Sequence, residues 1–205
     1  MINKIKLNII SNRKLCENEN LEKQIEKIFS AYEKKIILKN FEIVSLTLRE
    51  KDLDKNEYLN LVEKIYFICK KHKINLILHQ NYDLNLDDKY MIEGLHLSYE
   101  IFKSLNKNIR EGLIKKYKRI GVSIHSLEEA KEAEILGATY VVAGHIFETD
   151  CKKGLEPRGL NFIKKLSSTL TIPIFAIGGI DEKNSQSVID SGTFSVCMMS
   201  SLMKY

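Results

Sequence analysis

"RIGVSIHSLEEAKEAEILGATYVVAGHIF", Arg119–Phe147, decides the fold. Its first seven residues alternate, with Gly121, Ser123 and His125 on one side and Val122 and Ile124 on the other, the period of a β-strand. Ser126 follows, with Glu129 three residues later, and that spacing marks a capping box at a helix start. "GATYVVAG" then reads as a buried strand, and the polar stretch "GHIFETDCKKG" after it reads as a loop set on a rigid strand end. Strand, helix and strand in this order form one β-α-β unit.

The same alternation runs outward to both ends of the chain. The strand candidates are "IKLNII", "FEIVSLTL", "INLILH", "GLHLS", "RIGVSIH", "TYVVAGHIF", "IPIFAIGG" and "FSVCMM". Helical patterns lie between most of them. Leu21, Ile25 and Ile28 share one face, as do Leu59, Val62, Ile65 and Phe67, and Asp181 after "IGGI" stands where a helix cap is expected. Eight alternations without a composition break predict an α/β fold, a (β/α)8 TIM barrel in a single domain over residues 1–205. A doubly wound open sheet is the alternative, since strand number alone does not show closure. The connection between "ILH" and "GLHLS" has room for only one or two helical turns. After "FSVCMM" only "SSLMKY" remains, which predicts a truncated or missing last helix. The flank beside the first and eighth strands would then lack its cover. A homodimer or higher homo-oligomer, or another segment of the chain, is expected there.

Composition narrows the class. The 205 residues are 44% hydrophobic and 29% charged, enough for a core and far from a disordered chain. Cys16, Cys69, Cys151 and Cys197 are widely spaced, with no metal-ligand pairing, so a structural zinc and a disulfide framework are both disfavoured. No apolar stretch approaches the roughly 20 residues of a membrane span, and "MINKIKLNII" reads as a strand and not a signal peptide. A cytoplasmic location is the expectation. The net charge of +5 is spread over helices with acidic neighbours, which excludes a nucleic-acid stripe and tolerates a phosphorylated substrate.

In a barrel, chemistry gathers at the C-terminal ends of the strands. Those ends supply Arg49, Glu50 and Lys51; His79, Gln80 and Asn81; Ser98; Ser123 and His125; His145, Thr149 and Lys152; Gly178 and Gly179; Met199 and Ser200. Alternation directs Ser123 and His125 into the barrel mouth. Gly178 and Gly179 follow the seventh strand, where backbone N–H groups commonly cradle phosphate in barrels. His72 in "CKKHK" reads as a solvated helix end, and His96 as either a hydrogen-bonded interior residue or a functional one. His79, His125 and His145 each end a strand, but the first and last strands offer no partners for a metal-dependent hydrolase, so metal-free acid–base chemistry is preferred.

"LREKD" (48–52), "GVSIHSLEEA" (121–130), "GHIFETDCKKGLEPRG" (144–159) and "IPIFAIGGI" (172–180) resemble the thiamine phosphate synthase/TenI superfamily, and the 144–159 stretch resembles its TenI branch, the thiazole tautomerases. The resemblance implies the barrel already reached from pattern. It also implies that His125 is the acid–base residue and that Gly178, Gly179, Met199 and Ser200 hold a thiazole phosphate. Arg49, Lys51, Ser123, His145, Thr149, Cys151 and Lys152 join as substrate contacts, and Lys153 adds positive potential. The synthase branch joins a pyrimidine diphosphate to a thiazole phosphate with magnesium. Its Asn-Asp-Arg pattern is here His79-Gln80-Asn81, and its Gly-Gln-Glu-Asp pattern is Ser98-Tyr99-Glu100-Ile101, so both metal-binding aspartates are replaced. The implied activity is therefore a cofactor-free isomerisation of the thiazole synthase product to the aromatic carboxythiazole phosphate. Magnesium-dependent thiamine phosphate synthase is the alternative, followed by a non-catalytic thiazole phosphate-binding regulator. A sugar-phosphate isomerase is a further alternative and would need a glutamate base, for which only Glu50 and Glu100 qualify.

Overall fold

The computed structural model describes residues 4–84, 86–87 and 89–205. In chain order the elements are β1 (Ile5–Ile10), α1 (Leu21–Glu33), β2 (Phe41–Leu48), α2 (Lys55–Lys71), β3 (Asn75–His79), β4 (Gly94–Ser98), α3 (Tyr99–Ser104) and α4 (Lys107–Lys116). There follow β5 (Arg119–Ile124), α5 (Leu127–Ile135), β6 (Tyr140–Gly144), α6 (Gly159–Ser167), β7 (Ile174–Ile177), α7 (Ser185–Asp190), β8 (Ser195–Met198) and α8 (Ser200–Met203). The strands run in sequence order and close into a barrel, which excludes the open sheet. All eight expected strands are present. β6 ends three residues short of the expected Phe147, because the N–H groups of Ile146 and Phe147 turn to the carbonyls of Ile177 and Gly178. The chain divides into two compact units, 1–93 with 198–205, and 94–197.

In the first unit, α1 buries Leu21, Ile25 and Ile28, as its periodicity predicts. In α2 the buried set is Tyr58, Val62, Ile65, Tyr66 and Cys69, while Phe67 is 59% exposed. Val62 and Ile65 keep their expected burial, Phe67 falls off that face because it is only two residues from Ile65, and the stripe is extended by Tyr58. Its hydroxyl donates to Leu48 O at 2.7 Å and accepts from His79 N at 3.0 Å, so the inward face of α2 is set by a tyrosine that ties two strand ends together. The interior side of β1 and β2 is polar but satisfied. Asn8 donates to Thr47 Oγ1 at 3.1 Å and accepts from Ser45 Oγ at 2.9 Å, all three residues being buried. His72 caps the C-terminus of α2 and is not a solvated end, since its side chain is 4% exposed and lies between Glu26 and Glu33 of α1.

The chain's last helix is truncated to the four residues of α8. It docks on α1, where Gln24 Nε2 donates to Leu202 O at 2.7 Å and Met203 is buried. The chain's own tail thus lies against α1. Between β3 and β4 the described residues form turns and no helix, fewer turns of helix than the sequence pattern allowed.

In the second unit the period-2 alternation predicted for β5 holds. Ile120, Val122 and Ile124 are fully buried on the side toward the helices, with α5 packed on β5 and β6. The opposite side carries rings: His96 lies 6.0 Å from Tyr140, and Tyr140 lies 4.5 Å from Phe175. Gly121 leaves room for the Tyr140 ring, which a Cβ would meet at 2.1 Å.

Candidate active site

His125 follows the last residue of β5 and is held at two points. Its backbone N–H donates to Glu129 Oε2 at 2.6 Å, while Ser126 Oγ accepts from Glu129 N at 3.1 Å. The cap at the start of α5 is therefore a variant of the expected box: the glutamate reaches back one residue further, to His125. Among the described residues the ring makes one hydrogen bond, through Nδ1 at 3.2 Å from Gly144 O at the end of β6. A carbonyl oxygen only accepts, so Nδ1 carries the hydrogen. In the neutral ring the lone pair then resides on Nε2, which has no protein partner among the described residues. The side chain is exposed, so that nitrogen is accessible.

Ser123 shares the expected face of β5 but spends its hydroxyl inward, 2.7 Å from His96 Nε2. His96 is accordingly an interior residue. His145 is half-buried, and its Nε2 reaches Leu155 O at 3.2 Å, across the loop it opens. That loop returns to the strand it left. Arg158 N donates to His145 O at 2.9 Å, Gly159 N donates to Ile146 O at 3.1 Å, and Arg158 Nε donates to Gly144 O at 3.1 Å. Three successive carbonyls at the end of β6 are held by two residues. Glu148, Thr149, Asp150 and the residues from Lys152 to Pro157 line a recess of about 780 Å3. Cys151 and Lys152 are exposed, and Lys153 pairs with Asp150 at 3.4 Å.

Gly178 and Gly179 follow β7 with φ of +105° and +65°. Any Cβ there would strike the loop after β6, at 2.3 Å from His145 Cβ and 2.4 Å from Glu148 O respectively. The glycine pair is thus required by the close approach of two loops, whatever else its backbone binds. Asp181 does not cap α7. It heads a turn, accepting from the N–H groups of Lys183 and Asn184, and Asn184 occupies the cap position. In the other unit, Arg49 is half-buried, Lys51 is exposed, and Met199 and Ser200 lead into α8. Glu50 is buried and fully engaged by Ser11 and Arg13, which removes it as the base of a sugar-phosphate isomerase.

The positions matching the synthase metal pattern carry an imidazole at His79, amides at Gln80 and Asn81, and an aliphatic chain at Ile101. Glu100 is exposed on the first turn of α3. This donor set does not fit a magnesium ion that requires two carboxylates. Among the described residues, no three His, Cys, Asp or Glu side chains are grouped to hold a metal ion, and no helix is long and apolar enough to cross a membrane.

Arg158 is the residue that sequence reasoning passes over. It lies inside the quoted 144–159 stretch, but only the folded loop brings it back to Gly144.

The fold is a β/α barrel of eight parallel strands. The chain belongs to the family whose model is described as thiamine monophosphate synthase (TMP-TENI), which matches residues 7–202. A thiamine-phosphate synthase of Clostridium acetobutylicum is 31% identical over 198 residues, covering 97% of this chain and 87% of that protein. Another, from Halalkalibacterium halodurans, is 33% identical over 159 residues, covering 77% and 73%. Among solved structures, a thiamine phosphate pyrophosphorylase from Pyrococcus furiosus superposes with a TM-score of 0.78 at 24% identity, covering 99% of this chain and 89% of that one. At that identity the likeness speaks for the fold. The relatives carry the synthase name, which favours the expected alternative over the tautomerase.

Proposed function

We propose that the chain is a thiazole tautomerase of thiamine biosynthesis, with His125 as its acid–base residue. The observation carrying this reading is the orientation of His125. With Nδ1–H directed to Gly144 O, Nε2 is left as the basic atom at an exposed strand end. In the reaction, Nε2 takes a proton from a ring carbon of the non-aromatic substrate. The imidazolium then returns a proton at the other end of the conjugated system, so one C–H bond breaks, one forms, and the ring becomes aromatic. An imidazole can serve as the base in the first step and as the acid in the second. Aromatisation supplies the driving force, and the proposal includes no metal.

The phosphate is assigned to the backbone of Gly178 and Gly179. Met199 and Ser200 keep their place in the proposal on the resemblance alone, as do Arg49, Lys51, Thr149, Cys151 and Lys152 as substrate contacts. His145 is given a positioning role, supported by its bond to Leu155 O.

The second reading is thiamine phosphate synthase, favoured by the names of relatives about 30% identical over nearly the whole chain. The substitutions at Gln80 and Ile101 stand against it. One experiment separates the two. Pure protein is incubated with the thiazole synthase product, with and without hydroxymethylpyrimidine diphosphate and magnesium. The proposal expects aromatic carboxythiazole phosphate in every mixture and no magnesium-dependent thiamine phosphate. Robust formation of thiamine phosphate would replace it with the synthase reading.

A further inference from the structure

We propose that Arg158 is the positioning residue for His125, acting through the carbonyl of Gly144. The inference rests on the assignment of His125 as the acid–base group and adds to it the residue that fixes which ring nitrogen is basic.

Two donors converge on one oxygen. His125 Nδ1–H and Arg158 Nε–H reach Gly144 O at 3.2 and 3.1 Å. A carbonyl oxygen has two lone pairs, so the two bonds are compatible and together satisfy it. Gly144 is the last residue of β6, where ladder pairing ends, and it has no side chain to anchor it. The clasp formed by Arg158 and Gly159 on the carbonyls of residues 144–146 fixes the peptide planes beyond the strand. Of its three bonds, only the Arg158 side-chain bond lands on the oxygen that orients His125.

The arginine is itself held. Its backbone N–H is bonded to His145 O, and its guanidinium carbon lies 5.4 Å from the centre of the Phe162 ring. No carboxylate pairs with it among the described residues, so the carbonyl is its one side-chain hydrogen-bond partner there. A guanidinium left without an acid and aimed at a peptide oxygen is poorly explained as a surface ion pair. It is well explained as a brace for an acceptor whose direction matters. If Gly144 O turns away, His125 loses the one ring hydrogen bond it makes among the described residues, and the imidazole is free to place its hydrogen on Nε2. The basic lone pair then sits on the wrong nitrogen.

The test reads the ring directly. In protein labelled with 15N histidine, the ring nitrogen shifts of His125 are recorded in mildly alkaline solution for the parent, Arg158→Gln and Arg158→Lys. The parent should show the Nδ1–H form. Arg158→Gln should show a substantial share of Nε2–H, with kcat lowered about tenfold and KM within about twofold. Arg158→Lys, which keeps the backbone clasp and a side-chain donor, should fall between the two. A ring that stays Nδ1–H in Arg158→Gln overturns the inference whatever the turnover does. A rise in KM at unchanged kcat overturns it too, since the arginine would then contact substrate. The tautomer is read without turnover, so failure of the proposed reaction and failure of this inference are distinguishable.

Discussion

The ends of β2 and β5 are both crowded with polar groups, and they use them in opposite ways. At the end of β2, Glu50 takes Ser11 Oγ at 2.6 Å and the Arg13 N–H at 3.1 Å to each carboxylate oxygen, with Arg13 Nη1 at 3.5 Å. Every oxygen there is engaged by the protein. At the end of β5, His125 makes one ring bond and keeps Nε2 unbonded among the described residues. A charged residue at a strand end is therefore not yet a site. What distinguishes the two ends is whether a donor or acceptor remains after the fold has been satisfied.

The sharpest way to break this contrast is to remove the leftover group. His125→Asn should keep ligand affinity within a few fold and slow turnover by roughly 10²–10⁴. His145→Asn should cost less, because among the described residues the His145 ring bonds only to Leu155 O of its own loop. Equal losses in the two variants, or full activity in His125→Asn, would show that the proton carrier lies elsewhere.

The engaged end should behave in the reverse manner. Glu50 is almost completely buried, so Glu50→Ala strands Ser11 and the Arg13 N–H and leaves the arginine short of one partner. Unfolding in urea should show a loss of about 3 kcal/mol, the usual cost of removing one member of a buried charged network. Stability unchanged within about 0.5 kcal/mol, the scatter expected of neutral surface changes, would mean that the end of β2 is not held by its carboxylate.

How far the sequence reached follows from the same contrast. Strand order and inward faces were legible because a period of two and the buried aliphatics of β5 are local signals. His125 was legible because it continues that alternation past Ile124. The rest depended on chain closure. The tyrosine that ties α2 to two strand ends, the arginine that returns to Gly144 and the tail that docks on α1 are each set by partners distant in sequence. Asp181 went to a turn, where its carboxylate accepts from the N–H groups of Lys183 and Asn184 while Asn184 Oδ1 accepts from the Asp181 N–H. Glu50 and His125 looked equally available on paper, since residue type and strand-end position do not reveal how many hydrogen bonds the folded chain has already claimed.

The smallest expected effect lies at the outer edge of the engaged end. Asp52 receives Arg13 Nη1 and Nη2 at 2.7 and 2.9 Å, a bidentate pair, and Lys14 at 2.9 Å. Arg13 and then Lys14 hold its carboxyl well below the usual carboxylate range. A depressed folded-state pKa contributes stability that is fully present above the unfolded value, about 4, and is lost as pH falls through the lower folded value. The difference between the parent and Asp52→Asn should therefore be level from about pH 7 to about pH 5 and shrink only in stronger acid. Because the pair is open to solvent, added salt should also diminish it. Urea midpoints across that range and at two salt concentrations provide the measurement. A difference that grows in acid would reverse the sign and exclude the ionised carboxylate as its source. A difference independent of both pH and salt would show that the charge of Asp52 does not hold Arg13, leaving that task to Glu19 and the buried Glu50.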